Sequence, residues 1–349
     1  MRVKLTAIWI LFAPLLILAY QNCSRSSFDS TTSASQRETD QPSNSGQPYD
    51  GKAYVVHGNC VDGTQIESRI LLKSAYEGHL IRDNCQTIAP VRLGENEFDL
   101  HSSNATLSYQ AKEFVLETPP VNVPKQASFF VQFQGALKNY AVDFYVVDLF
   151  DYSASEIAGL RTNGRTVLCH ISAGIYENWR SDRDRFAASD LGSSLNSSER
   201  WIDTRSANVR SIMLERVGLA SQKGCQGVYL TNIDGYAKSS GFPLTSESQI
   251  DFNRFLAFAA RDRRLLVAQS QAPEIVPSLT DAFDLAIVGQ CFSEGNCGSY
   301  QPYVARGKPV FVFEYSARSE DQCRVANTLS ITLSYTNAAH DGSRYETCQ

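Results

Sequence analysis

The chain has 349 residues, 43% of them hydrophobic and 20% charged, with a formal net charge of −5. That is enough apolar material for one large domain and a small one. With no basic run and no basic–aromatic stripe, a nucleic-acid partner is excluded, and the mild acidity is only a weak pointer to cationic partners.

At the N-terminus, Arg2 and Lys4 precede an apolar run from Leu5 to Tyr20, which Pro14 interrupts and which is shorter than a usual membrane span. The run ends at Cys23. A cysteine directly behind a secretory apolar core has the form of a bacterial lipoprotein processing site, here a variant one, because Tyr20, Gln21 and Asn22 stand where small residues are usual. Residues 1–22 are therefore expected to be a signal peptide, with Cys23 lipidated; a plain signal peptide cut nearby is the alternative. Either way the mature chain is expected to be exported. With lipid on Cys23 it would be a membrane-anchored lipoprotein of the bacterial cell envelope, periplasmic or at the cell surface. Residues 23–47 are rich in Ser, Thr, Gln and Asp and cannot bury a core, which predicts a disordered tether.

Residues 48–125 read as a small β-rich domain. Ala53–His57, Ser68–Leu72 and the pair Val115, Leu116 are short, β-prone and separated by polar turns such as Asp62-Gly63; Pro119, Pro120 and Pro124 mark the boundary. His57, His79 and His101 are expected to be surface or packing residues. In an exported chain the cysteines read as disulfides. Setting Cys23 aside leaves eight, and sequence alone does not fix their connectivity. The working assignment is Cys60–Cys85, Cys169–Cys225, Cys291–Cys297 and Cys323–Cys348. No Cys-x-x-Cys occurs and the five histidines are scattered, so no metal site is expected, nor any cofactor.

From residue 126 to 349, short apolar strands alternate with helices. Eight strands are expected: Phe129–Gln134, Phe144–Leu149, Thr166–Ser172, Gly227–Asn232, Leu265–Ser270, Asp284–Gly289, Pro309–Glu314 and Ser330–Tyr335. They are mostly continuous apolar runs, as parallel strands covered on both faces require. Val209, Ile212, Met213, Val217 and Ala220 make one stripe of a helix, and Ser246-x-x-Gln249 reads as a capping box opening another. The pattern predicts an α/β fold, a (β/α)8 TIM barrel preceded by the small β-rich domain; a doubly wound open sheet is the alternative.

In such a barrel, chemistry sits at the C-terminal strand ends. Those ends carry Gln134, Asp148, Ser172, Thr231, Asn232, Asp234, Ser270, Gln290, Glu314 and Tyr315. Asp234 could brace the turn at Gly235 or bind substrate. Asp148 could bind an amine or pair with a basic side chain. Glu314, at the end of an apolar run, could be satisfied by a nearby Arg or Lys or could serve the site. Glu177, Trp179 and Arg180 read as a lid held by a salt bridge and an apolar anchor, with Trp201 and Asp203 ordering the next loop. His170 is expected to be a packed core histidine, with a groove donor as its alternative.

Blocks along the second half resemble glycoside hydrolase family 114. They are Gln132-Phe-Gln-Gly135, Val147-Asp-Leu-Phe-Asp151, Val167 to Gly174, Glu177 to Asp182, Glu199 to Asp203, Lys223 to Val228, Asn232-Ile-Asp-Gly-Tyr236, Gly241-Phe-Pro-Leu-Thr245, Asn253-Arg254, Gln290-Cys-Phe292, Cys297 and Gly307 to Tyr315. The resemblance runs from about Phe129 to Cys323 or Cys348. It implies a TIM barrel hydrolysing α-1,4-linked galactosamine polymers, a reaction that normally needs two carboxyl groups flanking the bond. As aligned, members carry Glu-Pro-Asp-Asn where this chain has Tyr229-Leu-Thr231-Asn232, and Asn-Glu-Gln-Cys where it has Val288-Gly289-Gln290-Cys291. They carry Lys-Asn where it has Ser270-Gln271. The two presumed catalytic acids are thus replaced by Thr231 and Gly289.

Three functions follow as expectations. The first is a degenerate lipoprotein that binds an amino-sugar polysaccharide with little or no hydrolysis, through Gln134, Asp148, Glu177, Trp179, Arg180, Asn232, Asp234, Tyr236, Gln290 and Tyr315. The second is an active endo-acting hydrolase using Asp148, Asp234 or Glu314. The third is a non-catalytic scaffold or interaction lipoprotein. A monomer, held to the membrane through lipid on Cys23, is expected in each.

Overall fold

The computed structural model describes residues 123–348 in full and, between residues 52 and 115, the course of seven strands. Cys23, the tether, the side chains of His57, His79 and His101, and the bridge expected between Cys60 and Cys85 lie outside the described residues. Among those described, no helix is long and apolar enough to cross a membrane.

The N-terminal strands form one antiparallel sheet. Its central strand, Lys52–Cys60, pairs with Gln65–Ser74, Ala105–Thr106 and Lys112–Val115. The β-prone character read from Ala53–His57 and Ser68–Leu72 corresponds to the two longest members.

The second sheet is parallel and consists of β1 Phe129–Gln132, β2 Phe144–Asp148, β3 Thr166–Ser172, β4 Gly227–Thr231, β5 Leu266–Gln269, β6 Leu285–Gly289, β7 Val310–Glu314 and β8 Thr332–Tyr335, each paired with the next in chain order. All eight coincide with the expected strands to within one or two residues at either end. Sequential parallel pairing with helical crossovers is barrel topology, not the doubly wound alternative, whose strand order reverses. Alternate side chains explain the continuous apolar runs. Phe129, Val131, Phe144, Val146, Leu168, Tyr229, Leu266, Leu285, Ile287, Phe311 and Phe313 form one buried cluster, the barrel interior. Phe130, Tyr145, Val147, Val167, Val228, Leu230, Val288, Val310 and Val312, one register away, join a second cluster with the helices.

The helices are α1 Ala154–Thr162, α2 Ala207–Gln222, α3 Ser246–Asp262, α4 Cys291–Glu294, α5 Gln301–Ala305 and α6 Glu320–Thr328. Their starts are written in the sequence. Ser153 caps α1 and completes a capping box with Glu156, while Ser206 and Ser319 cap α2 and α6. The box expected at Ser246 and Gln249 is shifted by one residue. Thr245 is the cap, its side chain accepting from the Ser248 amide. Gln249 is fully buried and donates to Asn253 Oδ1 instead of reaching back to a cap residue.

The ring does not close by a ladder between β1 and β8. The ends of the strand order are β1 and a two-residue strand, Glu346–Thr347, antiparallel to β8. The segment between them bridges the seam. The His340 carbonyl accepts from the Phe133 amide at 2.8 Å, the Gln134 side chain donates to the Ala339 carbonyl at 2.6 Å, and Tyr345 packs on Phe130 and Tyr140. Among the described residues three disulfides are present, Cys169–Cys225, Cys291–Cys297 and Cys323–Cys348, matching three of the four pairs of the working assignment. The last ties α6 to the seam segment.

Candidate functional site

The C-terminal strand ends meet at one mouth. Between β3 and α2 a three-stranded antiparallel insert, Ile175–Glu177, Leu191–Ser194 and Glu199–Ile202, rises beside it. Its first strand delivers Glu177, and the turn after it delivers Trp179 and Arg180. The approach is so close at Gly174 that a Cβ there would lie 1.8 Å from the Asn232 carbonyl oxygen. Glycine is obligatory at that point. Asn232 itself takes a left-handed conformation (φ 57°) and donates its side-chain amide to Ser172 Oγ at 3.1 Å.

One side of the mouth is ionic. Arg180 grips both oxygens of Asp148 at 2.7 Å and Glu177 Oε2 at 2.8 Å, and all three side chains are buried. Burial alone would raise the Asp148 pKa. The hydrogen bond and charge of His170, then those of Arg180, overcome it and hold the carboxyl well below the usual carboxylate range. Asp148 thus pairs with an arginine, one of the two roles foreseen for it. The salt bridge expected of the lid is present, but its apolar anchor is not, because Trp179 is 50% exposed beside the Arg180 guanidinium. Trp201 is buried, and Asp203 accepts from the Arg205 amide and side chain, ordering the next loop as expected.

His170, from the neighbouring strand, places Nδ1 3.2 Å from Asp148 Oδ2 and Nε2 2.7 Å from Thr231 Oγ1. Ionised Asp148 can only accept, so Nδ1 carries a proton. In the neutral imidazole, Nε2 is then the acceptor and the Thr231 hydroxyl donates to it. His170 is therefore buried, as expected of a core histidine, yet it also lines the mouth.

The other side is aromatic. Gly289 ends β6, and a Cβ built on it would lie 2.8 Å from the edge of the Phe313 ring. The ring occupies the space a longer side chain would need. Phe313 packs edge-on against His340, which also packs on Phe133 and accepts or donates a 2.8 Å hydrogen bond with the Tyr315 hydroxyl. Phe133 in turn stacks on His170 at 4.3 Å. Burial, reinforced by His170, pushes the His340 pKa down to about 4.

The remaining expected residues are dispersed among structural tasks. Glu314 is fully buried. Its partners are the amide of Phe292 at 2.8 Å and the hydroxyl of Ser293 at 2.5 Å, instead of the Arg or Lys expected. It ties the first turn of α4 to β7. Asp234 is largely buried and pairs with Lys238 at 3.2 Å; its side chain does not cap the Gly235 turn. Tyr236 donates to Glu274 at 2.8 Å, and Gln134 belongs to the seam. Gln290 starts α4 with a left-handed backbone (φ 61°), its amide bonded to the Phe313 carbonyl. The Tyr229 hydroxyl hydrogen-bonds Ser270, and Ser270 donates to Gln271. Phe133, Phe313 and His340 were not singled out from the sequence. Phe313 was legible there, two residues beyond the interior Phe311 and hence at the top of the same face. Among the described residues, no group of three or more His, Cys, Asp or Glu side chains is placed to hold a metal.

Comparison with known proteins agrees with this architecture. The family model for glycoside-hydrolase family GH114 matches residues 111–348. The crystal structure of Aspergillus fumigatus Ega3 in complex with galactosamine is 34% identical, with a TM-score of 0.63 over 66% of this chain and 99% of that one. The glycoside hydrolase domain of PelA from Pseudomonas aeruginosa shares the fold at 14% identity, with a TM-score of 0.51 over 62% of this chain and 96% of that one. A search of curated proteins returned no match. The match to the family model extends over more than half of the sequence, and the chain belongs to glycoside-hydrolase family GH114.

Proposed function

We propose that this protein is a carbohydrate-binding GH114 barrel that has lost most or all glycosidic cleavage, carried on an exported, lipid-anchored chain. The observation that carries the proposal is the state of the two strand ends where the family's acids are expected. Thr231 has a hydroxyl that, unlike a carboxyl group, does not ionise near neutral pH and cannot serve as a general acid, and Gly289 has no side chain while the Phe313 ring fills the adjacent space. Glycosidic hydrolysis with two carboxyl groups needs both in place, and loss of a positioned acid or base costs about 10²–10⁴-fold in rate.

The alternative hydrolase would have to use Asp148, Asp234 or Glu314. Their surroundings argue against it. Asp148 is clamped by Arg180, Asp234 is paired with Lys238, and Glu314 is sealed under α4. Binding has more support. The mouth offers Trp179 and Tyr315 as faces for sugar rings or ammonium groups, with amides at Asn232 and Gln290 for hydroxyls. The galactosamine complex of Ega3 suggests an amino-sugar ligand, and the net charge of −5 suits a cationic polymer.

The test is to incubate the purified chain with α-1,4-linked galactosamine oligomers, following binding by calorimetry and products by mass spectrometry. Binding without products is expected. Cleavage that Asp234→Asn abolishes would establish the hydrolase instead.

A further inference from the structure

Asp148, His170 and Thr231 stand on three adjacent parallel strands, β2, β3 and β4, in the order carboxylate, imidazole, hydroxyl. His170 is opposite Asp148 in the β2–β3 register, and Thr231 is two positions further along β4 than His170's own partner Tyr229. The distances are 3.2 Å from Asp148 Oδ2 to Nδ1 and 2.7 Å from Nε2 to Thr231 Oγ1. Phe133 stacked on the imidazole restricts its rotation. Thr231 is partly exposed at the mouth. Its other acceptor, the Ile171 carbonyl, is more distant at 3.5 Å. A base within hydrogen-bond reach of a hydroxyl, oriented in turn by a third group, is the arrangement that activates a nucleophile.

We propose that this barrel mouth is an acyl-transfer site, with Thr231 as nucleophile, His170 as general base and Asp148 as the group that fixes the imidazole. Its substrates would be carboxylic esters, and its natural ones O-acylated saccharides. Only that last choice rests on the carbohydrate-binding function proposed above.

The chemistry balances with water as co-substrate. Thr231 Oγ1 attacks the ester carbonyl carbon while its proton passes to His170 Nε2 and the carbonyl π pair moves to oxygen. Collapse breaks the bond to the alkoxy oxygen, which takes the proton from Nε2 and leaves as the alcohol. Water then attacks the acyl-threonine and gives its proton to Nε2; Thr231 Oγ1 departs with that proton and the carboxylic acid is released. The imidazolium formed in each half needs a net negative neighbour. Asp148 and Glu177 together outweigh Arg180, which they share, and Asp151 at 3.4 Å from Arg180 adds to the balance. A residue that the glycosidase chemistry has no use for thereby gains one.

The test uses the purified full-length chain, p-nitrophenyl acetate and an alkyl fluorophosphonate, with the labelled residue located by peptide mass mapping. Label on Thr231 and turnover above the uncatalysed rate are expected. Thr231→Ser should retain turnover, whereas Thr231→Val, close in shape, and His170→Ala should each lose about 10²-fold or more. Absence of label at Thr231, or turnover in Thr231→Val equal to that of the parent, overturns the proposal. Thermal midpoints of the variants control for folding, and the parent's labelling decides the matter even where a variant fails to fold. Since these reagents contain no sugar, failure here leaves galactosamine binding untouched, and failure of that binding leaves this result standing.

Discussion

The two sides of the barrel mouth are built differently. At the end of β4 stands Thr231, a side chain wired through His170 and Asp148 to Arg180 and Glu177. At the end of β6 stands Gly289, and the volume beside it belongs to Phe313, backed by His340 and Tyr315. The first side is a polar network. The second is apolar packing. A buried polar network must stay fully satisfied or it becomes costly, so the first side remains chemically equipped. A packed aromatic group imposes no such demand.

Breaking the ionic side should have the largest effect. Arg180→Ala would strand the buried carboxylates of Asp148 and Glu177, and the loss of one partner from such a cluster costs about 3–5 kcal/mol. The denaturant midpoint should fall accordingly with unchanged slope.

The aromatic side should reveal itself through pH. His340 has a pKa of about 4 when folded against an ordinary value of about 6.5, so between these values the unfolded chain binds the extra proton. Stability is complete above pH 6.5 and is lost as pH falls toward 4, by about 3 kcal/mol at the lower end. His340→Asn, which tolerates the left-handed backbone (φ 48°) at that position, should flatten this part of the curve in urea titrations at stepped pH.

The comparison sharpens further with Gly289→Glu, which should destabilise the parent by about 1–3 kcal/mol through overpacking against Phe313. In a Phe313→Ala background the same change should cost at least about 1 kcal/mol less, a coupling that a double-mutant cycle measures. Additivity would mean that the ring yields without strain. The smallest expected effect lies away from the mouth. Thr245→Ala removes the cap of α3 and should cost about 1 kcal/mol.

The disulfide connectivity was not fixed by the sequence, although the observed bridges join cysteines that are neighbours in chain order. Strands were legible because they rest on local patterns, continuous apolar runs bounded by turns. The helix stripe of Val209, Ile212, Met213 and Val217 was legible for the same reason. Side-chain partners were not. A cation was foreseen as one partner for Glu314, which found instead the amides of a short helix that no periodicity announces. Asp234 found Lys238 four residues on, a spacing that could have been noticed. The Asp148–His170–Thr231 alignment depends on the stagger between three strands, which only the closed sheet fixes.

The seam has one more consequence. Its bonds come from residues 337–347, pinned by Cys348 to α6. Those residues follow all eight barrel strands in the chain, so β1, the first of the eight to be synthesised, must wait for them with its edge unpaired. Without the dozen residues that follow β8 the barrel would therefore be left as an open sheet with two adhesive borders, which neighbouring chains could join until the final stitch is in place.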